Sequence, residues 1–316
     1  LFVDTETTGL AGGTGTYAFL VGAARLEGER LVVTQHFMRD FDDEPALLVA
    51  LEPLLARATG LVTFNGTGFD LPLLETRFIL ARRRSPAALP HVDLLAPARR
   101  VWSSCLADCR LATLEREVLG LVRDQDISGA LIPALYFDFL RHRNAAPLRV
   151  VFEHNRHDVL SLVALLAWFG AALAGRDDAR VSAEESAGLG RLWERVDLDR
   201  SLACYEAALA TGLAGPSAQW VRLRLARWEK RRARWDAACA LWEAAARHRV
   251  FDGRPWEELA KFHEHRRRDA LSARTIVVEA LRAAAKGGAP SSVVHALTHR
   301  LGRLDRRLAP RSPAPR

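Results

Sequence analysis

The stretch that decides the fold is LFVDTETTGL, residues 1–10. Its three leading apolar residues predict a buried strand, and two carboxylates, Asp4 and Glu6, follow one residue apart. Side chains two apart on a strand point to the same face, so both acids are expected to project together. Neighbouring carboxylates repel unless a cation lies between them, and their oxygens suit Mg²⁺ or Mn²⁺. Taken alone, however, the pattern is more often a strand that ends in two solvated acids.

The pattern of elements along residues 1–174 is that of an α/β domain. The elements expected after the first strand are strands over residues 17–24, 31–37, 61–64 and 89–95, and helices over about 44–58, 70–80, 111–118, 130–141 and 148–173. The first three strands form a meander with hairpin links. Hairpin strands followed by helices that alternate with short strands predict a sheet with helices packed over its faces.

Charge divides the chain into an acidic and a basic part. Residues 1–174 carry 17 basic and 20 acidic side chains, whereas residues 175–316 carry 28 basic and 18 acidic ones. This asymmetry indicates a metal-dependent site beside a surface that binds a polyanion, with nucleic acid as the favoured partner. The alternative is an arginine-rich composition on solvated helix faces, since only three of the 45 basic residues are Lys.

Composition also bears on the compartment and on membranes. Four cysteines without a second Cys-x-x-Cys-like pair predict free thiols in a reducing cytoplasm. The longest apolar run, residues 160–173, is shorter than the roughly 20 residues that a bilayer span needs, so no membrane association is expected.

Three further polar positions fall on later elements. Asp70 lies where a strand passes into a helix, a position at which an acid also favours the helix dipole. His154 and Asp158 are four apart on the long helix and therefore share one face. Each has an ordinary structural explanation by itself, either a helix start or a surface His–Asp hydrogen bond. Asp93 is interpreted as structural.

In order and in placement, Asp4, Glu6, Asp70 and Asp158 resemble the acids of the DEDD exonucleases of the ribonuclease H-like superfamily. The matching motifs are residues 4–10, 65–70 and 154–158, and the resemblance covers about residues 1–174. With residues 111–115 and 131–133, this part looks most like the bacterial YprB-type ribonuclease H-like proteins. The fold class that the resemblance implies is α/β, a ribonuclease H-like mixed sheet with helices on both faces.

The resemblance also implies an activity, the 3′–5′ exonucleolytic hydrolysis of single-stranded DNA or RNA. Asp4, Glu6 and Asp158 would hold one divalent ion, Mg²⁺ or Mn²⁺, while Asp4 would bridge to a second ion with Asp70 in its outer shell. Two cations about 4 Å apart stabilise the attacking and the leaving oxygen of an in-line displacement. The residues that would line the pocket for the terminal nucleotide are Thr7, Asn65 and Phe69. Asn65 fits a turn equally well.

The expected general base is His154, because a His with a pKa near the working pH suits the transfer of a proton from water. Its position departs from the family pattern. In the His-type enzymes four residues separate the His from the last Asp, and in the Tyr-type enzymes three residues separate the Tyr from it. Here His154 occupies the three-residue frame and Glu153 the four-residue frame, so Glu153 and His157 stay open as weaker candidates.

The second predicted domain, residues 181–308, is helical, follows a linker at residues 175–180 and precedes a Pro-rich tail expected to be disordered. The residues that recur are Trp193, Trp228 and Phe262, 35 and 34 apart, and Ala203, Ala238 and Ala273, 35 apart. An aromatic residue in one helix and a small residue in the next resemble tetratricopeptide-like helical hairpins. The basic runs at 231–234 and 266–268 fit phosphate contacts as well as solvated helix ends. A protein partner for these repeats stays open.

Two other functions remain open at this level. A non-catalytic scaffold on an inherited nuclease fold would explain the altered third motif, and it need not bind metal. A structure-specific endonuclease would use the same acids to cut internally. The sequence leaves DNA and RNA undecided, because that choice rests on contacts to one hydroxyl.

Overall fold

The computed structural model describes residues 1–9, 13–84, 89–123, 126–176 and 180–309. The chain divides into two compact units, Leu1–Val181 and Ser182–Arg316. Residue 10 of the first motif, residues 177–179 of the expected linker and residues 310–316 of the expected tail lie outside the described residues.

The first unit is built on a five-stranded sheet with the order β3-β2-β1-β4-β5. The strands are β1 (Phe2–Thr7), β2 (Ala18–Glu27), β3 (Arg30–Phe37), β4 (Leu61–Thr63) and β5 (His91–Asp93). The first three are antiparallel neighbours, which confirms the expected meander, whereas β4 pairs in parallel with β1 and β5 in parallel with β4. The strand that carries the first two acids is therefore the centre of a mixed sheet, and the predicted fold class is confirmed.

Helices cover the sheet. Those of the first unit are α1 (Glu44–Arg57), α2 (Asp70–Leu80), α3 (Leu95–Trp102), α4 (Leu111–Leu114), α5 (Ile132–His142) and α6 (Arg149–Leu173). No sequence pattern had indicated α3, which follows β5 after a single residue. Phe19 of β2 and Tyr136 of α5 are fully buried and stack with their ring centroids 3.9 Å apart. Burial of an aromatic side chain of this size contributes about 2–3 kcal/mol.

The long helix α6 packs on β1, β2 and β3 and carries the third motif to the sheet. With the turn before it, the segment Ala146–Leu173 is long and apolar enough to cross a membrane by length and composition. The short apolar run at its end had suggested otherwise. Helix α6 packs on three strands, with Val151, Val159 and Leu162 buried. The absence of a membrane partner stays a prediction.

The second unit is all-helical, as expected. Its helices are α7 (Ala183–Trp193), α8 (Leu198–Ala210), α9 (Gly215–Arg231), α10 (Trp235–Ala246), α11 (Gly253–Lys261), α12 (Ala270–Gly287) and α13 (Ser291–Leu308). Acidic or hydroxyl side chains cap four of them, because their oxygens accept otherwise unpaired backbone N–H groups. The capping residues are Ser182, Asp197, Asp252 and Asp269.

The periodic residues of the second unit do not all play the same part. Ala238 and Ala273 are fully buried, whereas Ala203, the first of the series, is exposed. Close helix packing requires a small residue only where the side chain faces a neighbouring helix, and the exposed Ala203 does not meet this condition. Because the series is not uniform, the tetratricopeptide-like resemblance stays a prediction.

Candidate metal centre

Asp4 is held against helix α6 by a neutral amide. The side chain of Asn155, fully buried on that helix, donates to Asp4 Oδ2 at 2.9 Å and to the Asp4 carbonyl at 3.3 Å. Gln35 Nε2 of β3 in turn donates to Asn155 Oδ1 at 2.9 Å, so the orientation of the Asn155 amide is fixed. Neither Asn155 nor Gln35 was singled out by sequence, although Asn155 lies within the third motif.

Glu6, His154 and Asp158 come together beside this contact. One ligand atom from each of them lies within 4.8 Å of the others. Glu6 is buried, and His154 Nε2 lies 3.5 Å from Asp158 Oδ2. At this separation the carboxylates of Glu6 and Asp158 can share one divalent cation, with the His154 ring beside them. The group thus joins Glu6 of β1 with two residues of α6, whereas Asp4 does not belong to it.

Asp70 approaches β1 by a different route. It is the first residue of α2, it is buried, and its Oδ1 accepts a hydrogen bond from the Thr5 hydroxyl. Burial raises the pKa of Asp70 to about 6, although the Thr5 bond opposes this. Asp70 in turn raises the pKa of Asp4 and of Glu6, so it lies close enough to act on both. It stands next to the group of Glu6, His154 and Asp158 and does not belong to it.

The pKa values of the clustered acids are all raised. Burial is the largest cause that raises the pKa of Asp4 well above its usual range, and Asp158, Glu6 and Asp70 add to it. Burial and then the charges of Asp158 and Asp70 raise the pKa of Glu6 to about 9. Burial also raises the pKa of Asp158, against the nearby His154 and Arg123. Crowded carboxyls of this kind favour either protons or a bound cation.

One cation of the chain already reaches this cluster. Arg123 Nη2 donates to Asp158 Oδ1 and, at 2.5 Å, to Glu115 Oε1, while Nη1 lies 3.3 Å from Asp126. The Ser161 hydroxyl also donates to Glu115, which is buried. Arg123 comes from a stretch without helical or strand periodicity, and no motif had marked it. Only its charge offered a signal in the sequence.

The imidazole of His154 is oriented by Asp126, which contacts the ring nitrogen Nδ1. His154 Nδ1 lies 2.6 Å from Asp126 Oδ1 and 3.2 Å from Arg123 Nη1. The shorter contact is with a carboxylate, which only accepts, so the ring nitrogen is assigned as the donor. This leaves Nε2 facing Asp158. Of the two weaker candidates, Glu153 is exposed and is paired with Arg156 at 2.8 Å, and His157 is half-buried. The geometry therefore favours His154 among the three.

The expected pocket residues lie near the acids in sequence, but within the described part of the chain no hydrogen bond or ion pair links their side chains to Glu6, His154 or Asp158. Thr7 is buried at the end of β1 and donates to the Gly9 carbonyl at 2.8 Å. Asn65 has a positive φ of 64°, typical of a turn, and with Phe69 it belongs to the loop between β4 and α2. Their role as pocket residues stays a prediction.

Asp93 organises that same loop. Its carboxylate accepts from three backbone N–H groups. The donors are Asn65 at 2.8 Å, Thr67 at 3.0 Å and Leu95 at 3.0 Å. Burial alone would raise the pKa of Asp93, but these bonds outweigh it and lower the pKa. The structural interpretation of Asp93 accords with these contacts.

Comparison with known proteins bears on the first unit. The profile of a family described as the RNase_H superfamily matches residues 1–170. Over 169 residues the sequence is 44% identical to the uncharacterized protein YprB of Bacillus subtilis (strain 168), and the match covers 52% of this chain. It covers 40% of that protein, so the chain spans about two fifths of the relative's length. The match supports the likeness to YprB-type proteins, whereas the DEDD exonuclease subtype stays a prediction.

Proposed function

The chain belongs to the RNase_H superfamily, and on that premise we propose that residues 1–174 form a metal-dependent 3′–5′ exonuclease domain acting on single-stranded DNA or RNA. The observation that carries the proposal is the convergence of Glu6, His154 and Asp158 within 4.8 Å. Asp4 and Asp70 adjoin them, and the pKa values of both are raised, like those of Glu6 and Asp158. We further propose that the domain works in the cytoplasm, since all four cysteines are free thiols.

The cofactors that we propose for this donor set are two divalent ions. Hard carboxylate oxygens are the ligands that Mg²⁺ and Mn²⁺ prefer, and four carboxyls crowd together here. Asp4, Glu6 and Asp158 would hold the ions, with Asp70 as an outer partner. Two such ions would supply the charge that stabilises the attacking and the leaving oxygen of a phosphodiester.

The chain's own residues would then position water and move its proton. Asn155 holds the Asp4 carboxylate at 2.9 Å, and Asp126 holds the His154 ring at 2.6 Å. His154 Nε2 would accept the proton of the attacking water. The bond between phosphorus and the 3′ oxygen of the shortened strand breaks as the new bond forms. That oxygen takes a proton from solvent, and His154 later releases its proton to solvent.

The test uses 5′-labelled oligonucleotides, the full chain and Mg²⁺. The wild-type protein should shorten the labelled strand stepwise from its 3′ end. Asp4→Asn and Asp158→Asn should lower the cleavage rate at least about a hundredfold. Asp138→Asn is the matched control, because Asp138 is exposed on α5 and pairs only with His142 among the described residues. Full activity of either acid variant would refute the proposal. Internal products would instead favour the endonuclease.

A second candidate is a non-catalytic scaffold, and one observation favours it. The Arg123 guanidinium already supplies a positive charge to Asp158 and Glu115, so part of the site is neutralised without a metal. Calorimetric titration with Mn²⁺ separates the candidates. An enzyme should bind Mn²⁺ and lose that binding in Asp158→Asn, while a scaffold should give no binding heat in either protein.

A further inference from the structure

Basic side chains lie over aromatic rings throughout the second unit. Of eight such contacts among the described residues, seven fall within residues 182–309. Cation–π contacts occur roughly once per 70–80 residues, so about two would be expected in a stretch of this length. The second unit therefore holds many of its basic side chains in fixed positions.

Two of these cations, Arg224 and Lys230, line one groove between helices α9, α10 and α11. The groove has a volume of about 420 Å³. Its principal lining residues are Trp220, Arg224, Arg227, Lys230, Trp242 and Arg254. A second cavity shares Arg254 and Glu257 with it, and a third shares Lys230 and Trp242, so the three cavities are neighbours.

The rings in this groove hold cations in place. Trp220 carries the guanidinium groups of Arg191 at 5.3 Å and of Arg224 at 5.1 Å from its ring centroid. Lys230 Nζ lies 6.0 Å from the centroid of Trp242, which is itself buried. Because two guanidinium groups lie over the Trp220 ring, a ligand at this position would contact positive charge rather than the aromatic face.

The acids of the groove are mostly neutralised from within. Glu258 pairs with Lys230, and Glu257 with Lys261 at 2.8 Å. The pairs at the margins are Arg224 with Glu194 at 3.1 Å and Arg254 with Asp252 at 2.6 Å. Arg227, by contrast, is exposed and makes no ion pair with any described residue. Arg227 thus offers the groove a guanidinium group that is not paired with a described acid, whereas the neighbouring cations are paired.

We propose that this groove binds the phosphodiester backbone of single-stranded nucleic acid. Planar guanidinium groups match phosphate oxygens bidentately, and the second unit contains far more Arg than Lys. A single strand can follow a positively charged groove, whereas a duplex presents its phosphates on two rigid strands. The ligand class rests on the proposed function of the first unit, but the binding itself requires no catalysis.

The test measures binding without cleavage. Fluorescence anisotropy of a labelled oligothymidylate is recorded with the full chain in EDTA over a series of salt concentrations. Each phosphate contact contributes about 0.7 to the slope of log K against log salt for a single strand. Arg227→Gln should therefore lower the slope by about 0.7 and weaken binding about eightfold at ~50 mM salt. Arg227→Gln/Lys230→Gln should lower the slope at least as much as Arg227→Gln, because Lys230 is already paired with Glu258.

The matched control is Arg222→Gln, since Arg222 lies on the same helix but does not line the groove. It should leave both affinity and slope unchanged. Equal slopes for the wild-type protein and the double variant would overturn the proposal. So would equal competition by oligoglutamate, which indicates an acidic peptide, or by a duplex of the same sequence. Binding of the single strand without Mg²⁺-dependent cleavage would support the proposed role of the groove and refute only the proposed nuclease activity.

Discussion

Gly22 lies directly opposite Asp4 in the sheet, and a side chain at Gly22 would collide with Asn155. A Cβ placed there meets Asn155 Oδ1 at 2.2 Å and Val159 Cγ2 at 2.8 Å, both on helix α6. The missing side chain therefore lets α6 approach the sheet closely enough for Asn155 to hold Asp4. One small residue on β2 sets the distance between the first and third motifs.

Gly22→Ala should consequently destabilise the fold and disturb the site. We expect a loss of about 1–3 kcal/mol in the free energy of unfolding, measured with urea, because either α6 or the Asn155 amide must move. Weaker Mn²⁺ binding should accompany it. The control is Gly170→Ala, at an open position on α6, which should stabilise by about 0.5–1 kcal/mol. A Gly22→Ala protein as stable as the wild type would contradict this role.

Metal-free stability should fall as the pH rises. The folded pKa of Glu6 is about 9, above its usual 4.5, so the folded state favours the protonated acid. The stabilisation from this group is complete below about pH 4.5 and is lost as the pH approaches 9. In EDTA, the Tm of Glu6→Gln should exceed that of the wild type at pH 8 by several degrees, since about 1 kcal/mol shifts the Tm of such a chain by ~2–4 °C.

Mg²⁺ should reverse that order, because it stabilises the wild type and not the variant. Glu29→Gln serves as control, since Glu29 is exposed in the turn between β2 and β3. If Glu6→Gln showed the same Tm profile as Glu29→Gln in EDTA, the crowding of the acids would not govern stability.

Arg123 should act as the resident counter-charge of Glu115 and Asp158. Arg123→Gln leaves the buried Glu115 without a cation, and removing one partner of a buried pair costs about 3–5 kcal/mol. Arg123→Gln/Glu115→Gln should recover part of this loss. The comparison variant is Arg116→Gln, whose pair with Glu117 is exposed and worth about 0–1 kcal/mol. Urea unfolding of the four proteins measures the effect, and a loss for Arg123→Gln no larger than for Arg116→Gln would count against it.

The choice of base can be checked by rate. If His154 accepts the proton, His154→Gln should lower kcat by about 10²–10⁴. Asp126→Asn should lower it by about 10–100-fold with little change in KM, because the ring loses the partner that orients it. Glu153→Gln should leave the rate unchanged, since that carboxylate points to Arg156. A large loss in Glu153→Gln with an active His154→Gln would transfer the role to Glu153.

Local pattern alone was sufficient for much of the first unit. The apolar run at residues 1–3 predicted β1, and the two-residue spacing predicted Asp4 and Glu6 on one side of it. The periodicity from residue 148 predicted α6 to within one residue of its start. These predictions succeed because a strand and a helix repeat every 2.0 and 3.6 residues, whatever the rest of the chain does. The same predicted strands and helices gave each acid its place along the fold.

Only the tertiary structure decided how the site is held together. Arg123 and Asp158 are 35 residues apart, and Arg123 lies in a stretch without periodicity, so nothing local joins it to α6. Asn155 is a neutral amide, and Gly22 acts through the absence of a side chain, so neither carries a signal of charge. Their roles arise from the distance between β2 and α6, which exists only once the chain has closed around its core. Sequence thus determined which acids are available, and packing determined which partners restrain them.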